Sequence, residues 1–445
     1  MAIALGSGPG DCGPDGLGGQ KGRGRYASRP FRFFAPPSGI TNAYSSLSIV
    51  SSEIPPPEPD GLALPPAETA RQVSAADLDP RRVKESFARV ASHGPAAMAY
   101  FYARLFTASP AMRALFPLSM TAQREHAFAA LTQVIWSLDN EPGCAEILGQ
   151  IGRDHRRFGV TDRHHRVFFT ALQDTARHFI GDAWTAETET AWRSAVDYMS
   201  AAMRSAADDD AATFPAWWIA EIVSHELRCP GVAVLRLQPT ESLPYEAGQY
   251  VPVQVSKWPR IWRTYSIANA PRPGGDIDLH VRAVPGGLVS NALVEHSAVG
   301  DCVVLGAPAG GMILGESDRD LLCVAGGTGL SPIKAIIEGA LSRPLACRPK
   351  KITLFIGARQ HRDLYDLEDL QLLESACPAL RVIPVLSEEP GYGGLTGTLP
   401  EVIGGRGLFE NTEAYVCGPV AMVRLTTAVL AAGIPASQLH YDPLP

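Results

Sequence analysis

The feature that most restricts the fold is a glycine-rich turn between an apolar run and a helical segment. The run Leu321–Ala325 leads directly into Gly326-Gly-Thr-Gly-Leu-Ser-Pro332. Glycines at such a turn let the backbone approach a phosphate, and the start of the following helix presents N–H groups and a partial positive charge. A tight loop that binds nothing is the alternative for a turn of this kind taken alone.

Three more short apolar runs follow this turn and alternate with helical patterns. They are Lys351–Ile356, Arg381–Val385 and Ala414–Cys417. Apolar strands that alternate with helices predict a doubly wound parallel sheet, which places the glycine turn at the edge where ligands bind. We therefore predict an α/β dinucleotide-binding domain over residues 318–445.

A different pattern precedes this domain. Five short segments alternate between apolar and polar residues and are bounded by Gly, Pro or polar residues: Trp217–Val223, Val232–Leu237, Tyr250–Val255, Arg263–Ile267 and Asp276–Val281. Such segments predict antiparallel strands. We expect a small antiparallel β-barrel over residues 213–313.

Residues 78–209 have helical periodicity and no convincing strand signals. Phe101, Leu105 and Phe106 fall on one helical face, and Gly181 is a plausible helix end. The region predicts an all-α domain with about six to eight helices. The chain thus reads as multidomain: all-α, then antiparallel barrel, then doubly wound α/β.

Residues 1–77 are rich in Gly, Pro, Ser and Ala and have no sustained period. We expect a disordered leader, or translation that begins further along the chain.

Bulk composition excludes several classes of function. A net charge of -7 argues against nucleic acid as a main partner. The eight cysteines include no Cys-x-x-Cys pair, so we expect neither a zinc site nor a disulfide scaffold, which fits a reducing cytoplasm. No apolar run is long enough to span a bilayer, and the N-terminus lacks signal-peptide features. We expect a cytoplasmic monomer.

Two segments of the barrel region carry residues suited to a flavin. Arg263, Tyr265 and Ser266 offer a cation for the pyrophosphate, a planar ring and a hydroxyl for the reactive nitrogen. The segment Gly286-Gly-Leu-Val-Ser-Asn291 offers backbone N–H groups at a helix start, from Gly286, Gly287, Val289 and Ser290. A strand with a chance Tyr and Ser is the alternative for the first segment alone.

Tyr415-Val-Cys-Gly-Pro419 ends the next-to-last predicted strand, so Cys417, Gly418 and Pro419 would lie at the ligand edge. Cys417 is expected either near a nicotinamide or as a small buried residue.

These segments together resemble the ferredoxin–NADP reductase superfamily from about Thr213 to the end. The resemblance implies FAD at Arg263, Tyr265 and Ser266, with Tyr250 close by. It also implies a nicotinamide cofactor at the glycine turn: Gly326, Gly327, Thr328, Gly329 and Pro332. NADH and NADPH both remain open. Arg359 follows the second strand and would suit a 2′-phosphate, whereas Asp363, Asp366 and Glu368 in the same stretch favour NADH.

The helical half then resembles a globin. The residues that carry the resemblance are Tyr102-Ala-Arg-Leu-Phe106, Pro110-Ala-Met-Arg-Ala-Leu-Phe-Pro117, Gln123 and His155. With the reductase region behind it, the chain resembles a flavohaemoglobin. The resemblance implies haem b with His155 as the proximal iron ligand and Tyr102 as the distal hydrogen-bond donor. Phe116 would pack on the haem and Gln123 would line the distal side.

The chain departs from this family at three places. Where flavohaemoglobins have a Tyr and a Glu behind the proximal histidine, His165 and Ala207 stand here, and Asp154 replaces a Lys. The C-terminal tail has Asp442 at the acidic position but Leu444 in place of an aromatic. We expect His155 to donate less electron density to the iron, and one face of the flavin ring to be less covered by protein.

The resemblance implies an NAD(P)H-dependent oxidoreductase. Electrons would pass from NADH or NADPH to FAD and then to haem, and O2 and nitric oxide would be converted to nitrate. Two alternatives remain at this stage: a haem and flavin enzyme with another electron donor or acceptor, and a globin-based oxygen or redox sensor.

Overall fold

The computed structural model describes residues 78–117, 119–317, 319–344, 349, 351–407 and 411–442. The expected leader, residues 1–77, and Leu444 lie outside these ranges. No helix within the ranges is both long and apolar enough to cross a membrane.

The first part of the described chain is helical. Its α-helices are α1 Pro80–Ala91, α2 Gly94–Ala108, α3 Thr121–Trp136, α4 Glu141–Arg156, α5 Asp162–Ile180 and α6 Ala186–Ala211. Short 3-10 helices cover Pro110–Leu115 and Gly181–Ala183.

Local sequence signals set several of these helix boundaries. Asp79 caps α1 by accepting a hydrogen bond from the backbone N–H of Arg82, and Pro80 occupies the first helical position. Gly181 ends α5 with a φ of 59°, a conformation that glycine adopts at little cost. The predicted end of this helix is confirmed.

The helical core is built largely from aromatic and aliphatic side chains. Phe87, Phe101, Leu105, Ile135 and Trp192 are each no more than 2% exposed. Burial of such side chains is the main favourable term in folding.

The second part contains an antiparallel sheet. Its strands are β1 Trp218–Cys229, β2 Val232–Pro239, β3 Tyr250–Val255, β4 Arg263–Ser266, β5 Ile277–Arg282 and β6 Cys302–Leu305. They lie in the order β4-β3-β6-β1-β2-β5. A bridge between Ile267 and Leu279 joins the two ends of the sheet, so the barrel is nearly closed. Helix α7, Leu288–Asn291, and a π-helical turn, Ala292–His296, follow β5.

The third part is a parallel sheet flanked by helices. In chain order its elements are β7 Asp320–Gly326, α8 Leu330–Ser342, β8 Ile352–Ala358, α9 Leu367–Ala376, β9 Leu380–Leu386, β10 Leu395–Thr396, α10 Leu399–Gly404, β11 Thr412–Cys417, α11 Val420–Leu430 and β12 Leu439–His440. The strand order is β10-β9-β8-β7-β11-β12, and every pairing is parallel. The order reverses direction at β7, which is the switch point where such sheets bind ligands.

The predicted fold class is therefore confirmed: an all-α domain, an antiparallel barrel and a doubly wound α/β domain. The strand predictions missed β6, β10 and β12, and β1 runs on to Cys229, beyond its predicted end at Val223. The proposed domain limits at 209, 213, 313 and 318 stay predictions.

Candidate functional site

Tyr102, Phe116 and Gln123 lie together in the helical domain, as the sequence predicts. Tyr102 on α2 is 2% exposed, and its Oη accepts a hydrogen bond from Gln123 Nε2 at 3.4 Å. Phe116 packs edge-on against the Tyr102 ring, with centroids 5.5 Å apart. Burial raises the pKa of Tyr102. The phenol therefore stays neutral and keeps its proton for a ligand.

His155 lies one residue before the end of α4, and its ring is held in one orientation. Nδ1 is 2.6 Å from the carbonyl oxygen of Ile151. A carbonyl only accepts, so Nδ1 carries the proton and Nε2 keeps its lone pair. Burial lowers the pKa of His155, which favours this neutral form. A neutral, oriented imidazole whose Nε2 has no hydrogen-bond partner among the described residues fits the axial ligand of a haem.

A close approach of two helices places His155. A Cβ added to Gly152 would lie 2.8 Å from the carbonyl carbon of Met203 on α6 and 2.9 Å from its Cα. Only glycine at this position allows α4 to pack so closely on α6. Position 152 is one turn before His155, so this contact fixes where the imidazole lies.

The residues behind His155 include a buried imidazole, His165, and an alanine, Ala207. His165 on α5 is 8% exposed, and within the described residues its Nδ1 has no hydrogen-bond partner. Burial lowers the pKa of His165 to about 4. The side chain of Asp154 pairs with Arg157 at 2.8 Å, and Ala207 on α6 has no polar group. Within the described residues, His155 Nδ1 therefore donates its hydrogen bond to the Ile151 carbonyl and to no carboxylate.

The flavin residues meet at the edge of the barrel sheet. Strand β4 is an edge strand, and its pairing with β3 sets Ser266 opposite Tyr250 and Tyr265 opposite Val251. Directly opposed residues share a face, so Tyr250 and Ser266 lie on one face and Tyr265 on the other. A flavin along this edge would be within reach of both faces. Arg263, on the same strand, is exposed.

The environment of Tyr250 involves two other parts of the chain. Burial raises the pKa of Tyr250, and the nearby carboxylates of Asp154 and Asp442 raise it further. Asp154 belongs to the His155 helix and Asp442 to the C-terminal tail. The phenol that the sequence places beside the flavin therefore lies close to charges from both.

The predicted glycine segment before α7 forms a tight turn in which two glycines have little room for a side chain or adopt a positive φ. Gly286 has a φ of 73°, and a Cβ on Gly287 would lie 2.5 Å from Val284 Cγ2. Ser290 Oγ accepts a hydrogen bond from the Val284 N–H at 3.3 Å. Val289 is 1% exposed and packs in the barrel core, so only its backbone is available to a ligand.

The glycine turn after β7 packs directly on the segment after β11. These strands pair in parallel with Cys417 opposite Ala325. A Cβ on Gly329 would lie 2.6 Å from both the carbonyl carbon of Cys417 and the Cα of Gly418, and a Cβ on Gly326 would lie 3.0 Å from Pro419 Cδ. Substituted residues would force the two segments apart.

The remaining residues of the turn are also fixed in place. Gly327 has a φ of 56°, the carbonyl of Thr328 accepts from Ser331 Oγ at 3.0 Å, and Pro332 lies in the first turn of α8. Burial raises the pKa of the Cys417 thiol to about 12, so this cysteine is a neutral thiol. The structure thus brings both predicted dinucleotide segments to one sheet edge.

The loop after β8 differs from the sequence expectation. Asp366 is 1% exposed and pairs with Lys334 at 2.7 Å, so it does not face a ligand, and Asp363 caps the Gln360 N–H at 3.2 Å. The carboxylate beside Arg359 is instead Glu388, at 3.6 Å. Sequence reasoning missed Glu388 because it follows β9, the adjacent strand.

Comparisons with known proteins agree with this arrangement. The sequence model of the globin family matches residues 99–203. Those of the oxidoreductase FAD-binding and NAD-binding domains match residues 220–313 and 323–428. The three matches follow the order of the three parts of the structure.

Individual relatives cover either the reductase half or nearly the whole chain. The electron transfer component of a xylene/toluene monooxygenase from Pseudomonas putida is 36% identical over 43% of this chain and 55% of its own length. The reductase component of a naphthalene 1,2-dioxygenase system from the same organism is 34% identical over 53% and 71%. A flavohemoprotein from Rhizobium meliloti is 26% identical over 81% and 96%. The chain spans little more than half the length of several of the reductases it matches.

One solved structure resembles the chain across its domains. Flavohemoglobin from Malassezia yamatoensis, with bound FAD and haem, superimposes with a TM-score of 0.68 at 17% identity and covers 84% of this chain and 100% of its own. That likeness shows the fold. With the three domain matches and a flavohemoprotein relative along most of its length, the chain has a flavohaemoglobin-like architecture, in which a globin domain precedes FAD-binding and NAD-binding reductase domains.

Proposed function

We propose that this chain is an NAD(P)H-dependent nitric oxide dioxygenase that converts nitric oxide and O2 to nitrate. The observation that carries the proposal is the pairing, in one globin domain, of a neutral His155 with a free Nε2 and a buried Tyr102 with an available proton. A reductase with flavin and dinucleotide segments follows on the same chain. We further propose that the protein acts as a monomer in the cytoplasm; the free thiols of the described cysteines fit a reducing compartment.

Bound haem would supply an iron that takes O2 as a ligand and accepts electrons one at a time. The role of Tyr102 is to donate a hydrogen bond to a polarised ligand in an apolar pocket. Gln123 donates a hydrogen bond to Tyr102 Oη, so the hydroxyl hydrogen of Tyr102 remains available for another acceptor. The aromatic ring of Phe116 excludes water from the same side.

His155 would bind the haem iron through Nε2. Its Nδ1 proton is bonded to a neutral carbonyl, and a carbonyl withdraws that proton less than a carboxylate does. The ligand therefore has moderate donor strength. This suits reaction of a bound O2 with nitric oxide better than cleavage of a peroxide bond, which depends on a strong donor.

The reductase residues would hold two cofactors, a flavin and a dinucleotide. The glycines at 326, 329 and 418 let the backbone approach the dinucleotide phosphates, and Ser266 places a hydroxyl at the flavin edge. A bound nicotinamide would supply two electrons as a hydride, and a bound flavin could accept both and release them one at a time. Each conversion of one nitric oxide and one O2 to nitrate uses one of them.

An absorption spectrum tests this function. The purified protein should show haem and flavin bands together, and NADH in air followed by nitric oxide should cause rapid loss of nitric oxide. His155→Ala should lose the haem Soret band and keep the flavin band. Haem and flavin both present with no consumption of nitric oxide would contradict the proposal.

A second function is favoured by one observation. The reductase half is 34–36% identical to electron transfer or reductase components of monooxygenase and dioxygenase systems, whereas the flavohemoprotein relative is 26% identical. Under this alternative the flavin delivers electrons to a separate oxygenase or carrier. His155→Ala would then retain full electron delivery to the physiological acceptor, although it binds no haem.

A further inference from the structure

The end of the His155 helix contacts the flavin-binding strand through an arginine and two aromatic rings. Arg157 is the residue that caps α4. Its guanidinium carbon lies 5.2 Å from the ring centroid of Phe158 and 5.6 Å from that of Trp262. The two rings meet edge to face with centroids 6.4 Å apart. Trp262 directly precedes Arg263, the first residue of β4.

The contact is desolvated, which strengthens it. The Arg157 side chain is 17% exposed, and its Nε has no hydrogen-bond partner among the described residues. Nη1 donates to Asp154 at 2.8 Å. A buried cation with an unsatisfied nitrogen is costly, and two aromatic faces offset part of that cost.

Two other arginines hold the same junction. Arg156 donates to the Asp210 carboxylate and, at 2.7 Å, to the carbonyl of Phe214 in the segment between α6 and β1. Arg260, two residues before Trp262, donates to the carbonyl of Ala114 in the 3-10 helix that precedes Phe116. Arg157 and Arg260 thus connect the helical domain to the segment that leads into β4, and Arg156 connects it to the segment that leads into β1.

We infer that Arg157, Phe158 and Trp262 form a clamp that sets the position of the globin helix end relative to the flavin edge, and thereby the rate of electron transfer between them. The inference rests on the proposed function. His155 is three residues before Phe158, with ring centroids 6.4 Å apart, so one short segment holds both the iron ligand and the clamp. The clamp residues are positioning residues. They undergo no chemical change while single electrons pass from reduced flavin to ferric haem.

The test compares Trp262→Ala and Arg157→Gln with Trp262→Phe, which keeps a ring in the clamp. Trp136→Ala is the matched control, because it removes the same side chain from a cation–π contact elsewhere. Trp136 is 52% exposed on α3, and the ammonium of Lys84 lies over its ring. Anaerobic stopped-flow with NADH follows flavin bleaching and the later haem reduction separately. We expect unchanged flavin reduction in every variant. Haem reduction should slow about tenfold in Trp262→Ala and Arg157→Gln. Trp262→Phe should recover most of the rate.

Hydrogen exchange of the cofactor-free full chain supplies a readout independent of activity. Amides of residues 156–159 and 260–263 should exchange faster in Trp262→Ala and as in wild type in Trp136→Ala. Equal haem reduction in wild type and Trp262→Ala, or unchanged exchange at both segments, would overturn the clamp. If the proposed function is wrong, the wild-type protein itself will show reduced flavin together with haem that stays ferric.

Discussion

Gly152 offers the sharpest test of how the fold positions the proximal histidine. In Gly152→Ala the new methyl would lie within 3 Å of the Met203 carbonyl carbon and Cα. These are backbone atoms of α6, which cannot rotate away as a side chain does. Helix α4 must therefore shift or tilt, and His155, one turn later, must move with it.

The size of the effect follows from two opposing terms. Replacing a helical glycine by alanine stabilises a helix by about 1 kcal/mol. Overpacking a tight contact costs about 1–3 kcal/mol, and contact with backbone favours the upper end. We expect a net loss of about 2 kcal/mol. Gly149→Ala is the matched control on the same helix. Its methyl would lie 3.5 Å from Ala206 Cβ and 3.3 Å from the flexible end of Arg153.

The assay is urea denaturation of the holoprotein followed by the Soret band, with haem release to an excess of a scavenging apoglobin measured in parallel. Gly152→Ala should have a lower midpoint and release haem faster. Gly149→Ala should equal or exceed the wild type in stability. A Gly152→Ala protein with wild-type midpoint and haem release would refute the argument that this contact places His155.

Four other substitutions test separate parts of the account. Tyr102→Phe removes the buried donor and should speed O2 dissociation about tenfold, measured by flash photolysis; an unchanged off-rate would argue against the distal role. Ser266→Ala should slow flavin reduction by NADH about tenfold with little change in flavin affinity; equal losses in both would point to a purely structural hydroxyl. Glu388→Gln removes the carboxylate that pairs with Arg359, so Arg359 is free to bind a 2′-phosphate. The ratio of kcat/KM for NADPH to that for NADH should rise by about threefold, which is the size expected for an exposed ion pair; an unchanged ratio would show that this pair does not affect cofactor choice. Burial lowers the pKa of His280 to about 3. As pH falls, His280 therefore takes up its proton at a higher pH in the unfolded chain than in the folded chain. The free energy of unfolding decreases as pH drops from about 6.5 towards 3. By pH 4.5 the loss should reach about 3 kcal/mol, and His280→Gln should show a flatter urea midpoint between pH 7 and 4.5.

Local pattern was sufficient for much of the fold. Gly181 ends a helix because its backbone adopts a positive φ. The glycine turn after Leu321–Ala325 leads into a helix because the apolar strand stops at the turn. Both are decided within a few residues. The short strands β10 and β12 were missed because two paired residues carry no period that a sequence reveals.

Long-range geometry decided the rest. The pairing of Ser266 with Tyr250 depends on the register of β3 and β4. Glu388 reaches Arg359 only because β8 and β9 are neighbours in the sheet. The contact of Arg157 with Trp262 joins residues more than a hundred positions apart. No local pattern encodes such contacts, since they depend on how separately folded parts pack.

The proximal shell shows both the strength and the limit of the family resemblance. The resemblance predicts that Ala207 takes the position of a family carboxylate, which stays a prediction. It could not show that His155 would instead bond Ile151, or that His165 would be a buried imidazole with an unpaired Nδ1. Those facts depend on ring orientations within the packed helices.

The stoichiometry of turnover in air tests the central claim most directly. NADH oxidised, nitric oxide consumed and nitrate formed should be measured together on the purified holoprotein. The account predicts two nitric oxide molecules consumed and two nitrate ions formed for each NADH, because a hydride carries two electrons and each conversion uses one. NADH oxidation that nitric oxide does not accelerate, or consumption of nitric oxide without matching nitrate, would contradict it.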